Sequence, residues 1–229
     1  MPEVKILAFD VFGTVVDWFS GIRNEVDALA CGLDGSEIAL AWRAGYGSSM
    51  DSVRDGEFVT LDRLHRRTLD RLLAERGRED IDEATRAALT HAWHRLPAWP
   101  DSVAGIHCLA ARYTVCPLSN GNLSLLTNMA KRASLHWDCV LSAEVFRAYK
   151  PDPKTYLGVA EVFDVDPASV MMVACHPEDL QAAHALGLQT AYVDRPAEFG
   201  PGNSVDRDQR PPGTIEAKSI VELAEHMGC

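Results

Sequence analysis

The sequence predicts an α/β protein: a doubly wound parallel sheet with an all-helical cap inserted after the first strand. From residue 112 onward, short apolar runs alternate with helical patterns, as parallel strands joined by helices do. Between residues 17 and 98, apolar residues recur at helical spacing and no strand pattern interrupts them. We therefore expect a core domain of residues 1–16 and 99–229, and a helical cap domain of residues 17–98.

The first strand ends in a carboxylate. The apolar run from Ile6 to Phe9 suits a strand that is buried on both faces, and Asp10 follows it directly. An unpaired charge is expensive to bury, so Asp10 is expected at the C-terminal tip of the strand. Gly13 permits a tight turn there, and the Thr14 hydroxyl can bond back to the carboxylate. Taken alone, this stretch leaves open an Asp10 that only caps the turn.

The predicted cap contains four helices, each delimited by a capping residue or a helix breaker. Their expected limits are Ile22 to Gly32, a start at Ser36, Thr60 to Gly77, and Glu83 to Arg95 before Pro97. In the third helix the leucines form one apolar stripe.

Four further strands are predicted in the second half of the chain. They are residues 113–118, 139–142, 170–174 and 190–193. Asp152 with Pro153, and Ser219 with Glu222, are helix starts, and residues 196–213 form a Pro/Gly-rich loop. Polar residues lie at or near the ends of four strands, namely Asp10, Ser119, Lys150 and Asp179. Because parallel strands end at one edge of the sheet, these side chains are expected to face one crevice.

Composition excludes several classes of function. A net charge of −11 over 229 residues leaves no basic stripe for nucleic acid, so an anionic substrate would need a local cationic site. No apolar run is long enough to span a membrane, and the N-terminus shows no secretory leader. The six cysteines form no CxxC pair and indicate reduced thiols, hence a cytoplasmic protein.

Four short motifs carry a resemblance to a known family. They are Asp10-x-x-Gly13-Thr14, Ser119-Asn120-Gly121, Lys150-Pro151 and the strand-end Asp179. In this order they resemble the motifs of the haloacid dehalogenase superfamily, over nearly the whole chain. Phosphatases of that superfamily carry a second Asp where this chain has Phe12, which can neither protonate a leaving group nor help to orient a hydrated cation. Phe12, Asp17-Trp18 and Trp42-Arg43 are similar instead to the L-2-haloacid dehalogenase branch.

The resemblance implies a chemistry without metal or cofactor. Asp10 would attack the halogen-bearing carbon of a short-chain 2-haloacid, and water would hydrolyse the resulting ester to a 2-hydroxy acid. Lys150 would keep Asp10 ionised, and Asp179 would orient or deprotonate the water. Arg43 would hold the halide or the substrate carboxylate. The resemblance also implies that Thr14 and Ser119 take part in catalysis. Asn120 and the backbone N–H groups of Val11 and Phe12 would bind the substrate carboxylate. The side chains of Phe12, Trp42 and Phe58 would wall the pocket, and Tyr156 would also contact the substrate.

The fourth motif departs from the family. Ala174, His176 and Glu178 stand where the family often has Ser, Asn and Trp. His176 either bonds the water or the ester, or replaces Asn as a structural donor. Two other functions stay open from sequence: a phosphatase of the same superfamily, and a small-acid-binding protein that has lost turnover. A homodimer is expected by family analogy.

Overall fold

A computed structural model describes residues 3–29, 32–203 and 209–229 of the chain. It contains one sheet of six strands, and every neighbouring pair is parallel. The strands are β1 Ile6–Phe9, β2 Thr114–Ser119, β3 Leu141–Ser142, β4 Val170–Ala174, β5 Gln189–Val193 and β6 Ile215–Ala217. Their spatial order is β3-β2-β1-β4-β5-β6, so the predicted doubly wound α/β fold is confirmed.

Strand β1 lies at the centre of the sheet because all four of its residues are apolar and buried. It pairs with β2 on one side and β4 on the other, with Leu7 opposite Val115 and Met171. Directly after the strand, the Asp10 amide donates to the Val173 carbonyl over 2.9 Å. The carboxylate therefore emerges where three strands end together, which is the position the sequence predicts.

Helices fill the segment between β1 and β2, as predicted. They are α1 Trp18–Ala28, α2 Gly35–Ala44, α3 Tyr46–Asp51, α4 Leu61–Glu75 and α5 Glu83–Thr90, followed by a 3₁₀ turn, His91–Arg95. Ser36 does not cap α2, because Asp34 precedes it and accepts a bond from the Glu37 amide at 2.8 Å. Helix α3 is not anticipated by the sequence, since six residues are too few to show a helical period. Residues 30 and 31, including Cys31, lie outside the described residues.

Among the described residues of the second half of the chain, six α-helices follow. They are α6 Ser102–Ala110, α7 Leu123–Ala133, α8 Ala143–Phe146, α9 Pro153–Phe163, α10 Pro177–Ala185 and α11 Ile220–His226. The predicted caps Asp152 and Ser219 are confirmed, because each side chain accepts a backbone N–H of its own helix. Two strand predictions need correction. The strand expected at 139–142 is only two residues long, and β6 was missed because it is short and follows a Pro/Gly-rich stretch.

The two faces of the sheet carry separate apolar clusters. Leu7 and Phe9 point into a cluster that continues into helices α1–α5, whereas Ile6 and Ala8 point into one under α9 and α10. Val16, at the start of the helical segment, pairs with Ala98 at its end in an antiparallel bridge. Because the two ends of this segment meet, we propose that residues 17–98 form a separate cap domain. Among the described residues, no helix combines the length and the apolar character needed to cross a membrane.

Candidate active site

The crevice at the C-terminal edge of the sheet holds a buried chain of charges. The Lys150 Nζ donates to Asp10 Oδ1 at 2.9 Å and to Asp179 Oδ2 at 2.5 Å. Asp10 follows β1 and Asp179 lies in the first turn of α10, just after β4. Topology thus brings together three groups that are far apart in sequence. All three are at least nine-tenths buried, and each charge has a partner of opposite sign.

The neighbouring charges decide the protonation state of Asp10. Burial acts to raise its pKa, but Lys150 and His176 outweigh burial and hold the pKa well below its ordinary value. Burial acts to lower the pKa of Lys150, and the carboxylates of Asp10 and Asp179 raise it above the usual lysine value. For Asp179 burial dominates, and its pKa is raised. Asp10 is therefore the carboxylate kept fully ionised.

Thr14 fixes the second oxygen of Asp10. Its hydroxyl donates to Asp10 Oδ2 at 2.8 Å and accepts the backbone N–H of Cys175 at 3.0 Å. The turn from Asp10 to Thr14 needs a glycine at position 13, because the φ of Gly13 is +88°. A Cβ atom there would lie 2.2 Å from the carboxylate of Glu198.

His176 lies between two carboxylates. Its Nδ1 is 3.0 Å from Asp10 Oδ2, and its Nε2 is 3.0 Å from Glu198 Oε1. Burial acts to lower the pKa of the imidazole, but Cys175, Glu198 and Asp10 together raise it well above its ordinary value. Both ring nitrogens of His176 then carry a proton, and each N–H donates a hydrogen bond to a carboxylate, one to Asp10 and the other to Glu198.

Glu198 is a site residue that sequence reasoning missed. It comes from the segment after β5, is fully buried, and also accepts the indole N–H of Trp18 at 2.9 Å. Burial acts to raise its pKa, yet His176 and Arg43 lower it to about 2. No local pattern could have identified it, because a lone acid in a Pro/Gly-rich stretch is usually solvent-exposed.

Above these charges lies a cavity of about 360 Å³. Its lining includes Arg43, Tyr46 and Met50 from the helical segment, and Asp10, Lys150 and His176 from the sheet edge. The Arg43 guanidinium carbon is 4.4 Å from the centre of the Tyr46 ring, and its NH2 is 4.0 Å from Glu198 Oε1. Among the described residues, Arg43 Nε has no hydrogen-bond partner. The cavity is thus lined by both the Asp10 carboxylate and the Arg43 cation.

Several other predicted residues reach this cavity. Phe12 and Asn120 line it, and the Asn120 Oδ1 accepts the backbone N–H of Lys150 at 2.8 Å. Tyr156 also lines it, and its hydroxyl donates to Asp179 Oδ1 at 2.6 Å. Tyrosine at position 156 therefore fixes the orientation of Asp179.

Ser119 and Val11 each precede a residue that lines the cavity, Asn120 and Phe12 respectively. Ser119 is buried, and its Oγ accepts the Gly121 N–H at 3.1 Å. Val11 is buried as well, and its carbonyl accepts the N–H groups of Val15 and Val16. Neither side chain is among the residues that line the cavity.

The structure does not bring Trp42 and Phe58 to the cavity, so their assignment as its walls is corrected. Trp42 is buried between α2 and α4, where its indole donates to the His65 carbonyl at 3.0 Å. Consecutive helical residues point about 100° apart. Trp42 therefore faces the interior of the helices while Arg43 faces the cavity. Phe58 stacks on Tyr149, with ring centres 5.0 Å apart, and lines a different hollow.

One group of metal-binding residue types occurs among the described residues, namely Cys175, His176 and Glu198. We do not assign these residues as metal ligands. Both ring nitrogens of His176 already bond to carboxylates, and the Arg43 guanidinium lies beside Glu198. At the position where a phosphatase would carry its second Asp, the Phe12 ring contacts Trp93 and Tyr46 edge to face.

Comparisons with known proteins agree with this geometry. The family model described as haloacid dehalogenase-like hydrolase matches residues 4–187. The crystal structure of a defluorinating L-2-haloacid dehalogenase is 44% identical, with a TM-score of 0.93, and the match covers 99% of this chain and 96% of that one. A second L-2-haloacid dehalogenase structure is 43% identical with a TM-score of 0.93, and the match covers 99% and 100% of the two chains.

Sequence comparison gives a similar result. An (S)-2-haloacid dehalogenase of Xanthobacter autotrophicus is 30% identical over 199 residues, which are 84% of this chain and 76% of that protein. The resemblance that the four motifs indicated is thereby confirmed. The chain belongs to the haloacid dehalogenase-like hydrolase family, and L-2-haloacid dehalogenases are among the relatives that match it from end to end.

Proposed function

We propose that this protein hydrolyses short-chain 2-haloalkanoic acids, the L-2-haloacids and haloacetates, to 2-hydroxy acids. One observation carries the proposal: an ionised, buried carboxylate, Asp10, and a guanidinium, Arg43, line the same cavity. An anionic nucleophile held this way suits attack on carbon, because burial removes the water that would otherwise solvate it. The names and high similarity of the relatives support the same reaction.

The proposed reaction has two steps. In the first, an Asp10 oxygen attacks the halogen-bearing carbon from the side opposite the halogen, and halide leaves with the bonding electron pair. Configuration at carbon is inverted, and an ester joins the product to Asp10. In the second, water attacks the carboxyl carbon of that ester and releases the hydroxy acid. Lys150 keeps Asp10 ionised for the first step, Asp179 accepts from the same ammonium, and Tyr156 orients Asp179.

Substrate orientation would come from polar groups around the cavity. Arg43 can hold the departing halide or the substrate carboxylate as a fixed planar cation. Asn120 and Phe12 line the cavity, and we assign the Asn120 side chain and the backbone N–H groups of Val11 and Phe12 to the substrate carboxylate. Ser119 would act through the turn after β2, where its Oγ accepts the Gly121 N–H beside Asn120.

The phosphatase alternative is disfavoured by Phe12. A phosphate ester needs a proton for its leaving alcohol and, in this superfamily, a hydrated cation, and the Phe12 ring supplies neither. Halide needs no proton to leave. A purely binding protein is disfavoured by the ionised Asp10, because burying an anion beside the substrate carboxylate would weaken the binding of an acid.

Halide release tests the proposal. We expect the enzyme to release chloride from (S)-2-chloropropionate and from chloroacetate, and far more slowly from (R)-2-chloropropionate. We expect no hydrolysis of p-nitrophenyl phosphate, and Asp10→Asn should abolish chloride release. Phosphate hydrolysis without chloride release would replace the proposed function with that of a phosphatase.

Two further properties are proposed with this function. Free thiols at the five described cysteines agree with a reducing, cytoplasmic compartment. A homodimer is carried over from the family resemblance, and light scattering of the purified protein would test it.

A further inference from the structure

Asp10, His176 and Glu198 form a connected series of side chains. The nucleophile bonds to the imidazole at 3.0 Å, and the opposite ring nitrogen bonds to a second acid at 3.0 Å. A nucleophile next to a base that a third group orients is a recurring arrangement in covalent catalysis. The three residues come from the end of β1, the end of β4 and the segment after β5, so the fold and not local sequence creates the series.

We propose that His176 takes the proton from the water that hydrolyses the Asp10 ester, and that Glu198 positions its ring for this step. The inference deepens the proposed function and rests on it. It assigns the second half of the reaction to His176, where the motif resemblance assigned it to Asp179.

Asp179 is poorly placed to accept that proton. Its Oδ2 accepts from the Lys150 ammonium and its Oδ1 accepts from the Tyr156 hydroxyl. Although burial raises the pKa of Asp179, both of its carboxylate oxygens are already occupied by these two donors. Asp179 instead acts through Lys150 on the first step, because it fixes the ammonium that bonds to Asp10.

Formation of the ester changes the surroundings of His176. In the free enzyme its imidazolium faces the carboxylates of Asp10 and Glu198, with the Cys175 thiol beside it. Alkylation turns Asp10 into a neutral ester and removes one of the two anions that hold the ring protons. The cations Arg43, 4.0 Å from Glu198, and Lys150, on the far side of Asp10, then favour loss of a proton from His176.

Glu198 determines which nitrogen loses that proton. Its Oε1 continues to accept the Nε2–H, so the neutral ring keeps hydrogen on Nε2 and exposes a lone pair on Nδ1. That nitrogen lies 3.0 Å from Asp10 Oδ2, which places a base next to the carbon that water must attack. The Trp18 indole also donates to Oε1 of Glu198, which further fixes the carboxylate.

The protons balance over one cycle. The first step breaks the carbon–halogen bond, forms the ester bond and sends the His176 Nδ1 proton to solvent with the halide. Water then adds its oxygen to the Asp10 carboxyl carbon and gives one proton to Nδ1. The tetrahedral intermediate collapses, the bond between the carboxyl carbon and the ester oxygen breaks, and the remaining water hydrogen passes to that oxygen. The hydroxy acid leaves, and the carboxylate and imidazolium are restored.

Rapid mixing of His176→Gln with chloroacetate tests the assignment. We expect a burst of one chloride per active site, then turnover slowed on the order of 10²-fold or more, as when a general base is removed. The quenched protein should carry one carboxymethyl group on the peptide that contains Asp10. The exposed His184 on α10 offers a matched control, and His184→Gln should turn over like the wild type without trapped ester.

Two other variants separate the competing roles. Asp179→Asn should show a slower burst and no accumulation of ester, because its effect is on the attack. Glu198→Gln keeps the shape of the side chain but weakens the acceptor for Nε2–H. Its ester should therefore hydrolyse more slowly, and the pH dependence of that step should move to lower pH, which a purely structural role would not produce.

The outcomes are distinct from a failure of the proposed function. If the wild type releases no chloride from any 2-chloroacid, the proposed function is wrong. If the wild type does release it, loss of the burst in His176→Gln would show that the imidazole is needed before the ester forms, and would overturn the inference. Unchanged turnover in that variant, or trapped ester in Asp179→Asn alone, would overturn it as well.

Discussion

At the scale of single residues, Arg43 connects the helical segment to the chemistry of the sheet edge. Its guanidinium lines the cavity, packs on the Tyr46 ring and approaches Glu198. Arg43→Lys keeps the charge but loses the planar donor fork. We expect chloride release to fall on the order of 10²-fold, as when a positioned electrostatic group is removed. Steady-state kinetics with (S)-2-chloropropionate would measure the effect.

A matched substitution is available on the same segment. Arg71 is exposed on α4 and pairs with Glu75 one turn away. Arg71→Lys should leave the rate unchanged. Equal rates for both variants would limit Arg43 to packing.

His65 is a buried imidazole without a hydrogen-bonding role for its ring. It packs against Trp93 with ring centres 4.2 Å apart and ring planes tilted by 31°, and neither ring nitrogen has a partner among the described residues. Burial lowers the pKa of His65 to about 3. Below the ordinary histidine pKa of about 6.5, His65 is protonated in the unfolded chain but stays neutral in the folded chain. Folding stability is therefore lost at this site as the pH falls from about 6.5 toward 3.

Replacement of His65 by Phe should remove this pH dependence. Relative to the wild type, His65→Phe should gain about 1 kcal/mol of unfolding free energy when the pH is lowered from 8 to 5.5. Urea denaturation at the two pH values measures the gain. His107 on α6 is exposed, so His107→Gln should show no such gain. A constant difference between wild type and His65→Phe at both pH values would contradict the prediction.

At the scale of elements, one carboxylate joins three parts of the chain. Asp101, just before α6, accepts hydrogen bonds from both terminal nitrogens of Arg195, at 2.8 and 2.9 Å. It also accepts the Ile220 N–H at the start of α11. Arg195 in turn donates to the Thr14 carbonyl beside the nucleophile, and Glu198 follows three residues later. Asp101 therefore anchors the segment that delivers Glu198 to the active site.

Removal of this charge should weaken the fold. Asp101→Asn leaves Arg195 buried with a weaker acceptor, and we expect a loss of about 1 to 3 kcal/mol in unfolding free energy. Burial acts to raise the Asp101 pKa, but Arg195 and the Ile220 N–H lower it. The ionised Asp101 carboxylate thus adds to the unfolding free energy at neutral pH, and this stabilisation is lost as the pH falls through the acid range. Urea denaturation at pH 7 would measure the loss, and the exposed Asp80→Asn should change stability little.

The sequence predicted those elements whose pattern is local. All five predicted strands appear in the structure, the one expected at 139–142 shortened to two residues, as do the cap helices longer than six residues. Their apolar periods and capping residues lie at consecutive positions in the sequence. Helix α3 and strand β6 are too short for any period. Glu198 could not be predicted because its burial depends on Trp18 and His176, which are distant in sequence. Trp42 was misplaced because sequence neighbours on a helix face different ways.

At the scale of the whole molecule, the net charge of −11 is opposite to what an acid substrate would favour. Binding must then rely on Arg43 and on the polar edge of the cavity, with no metal ion involved in the proposed mechanism. We expect dehalogenation to be insensitive to EDTA and to added Mg²⁺. Chloride release assayed after exhaustive dialysis against EDTA would check this. Activity lost on chelation and restored by Mg²⁺ would favour the phosphatase alternative.

The bridge between Val16 and Ala98 has a consequence for how such a protein can diversify. Because the polypeptide departs from the sheet and rejoins it at adjacent points, everything between those points can be lengthened, shortened or exchanged without rerouting a strand. For the proposed cap of residues 17–98, this junction makes the encoding gene segment suited to exchange by recombination. A foreign segment grafted at this junction would change which acids the cavity accepts. Asp10 and Lys150 would keep their positions at the edge of the sheet.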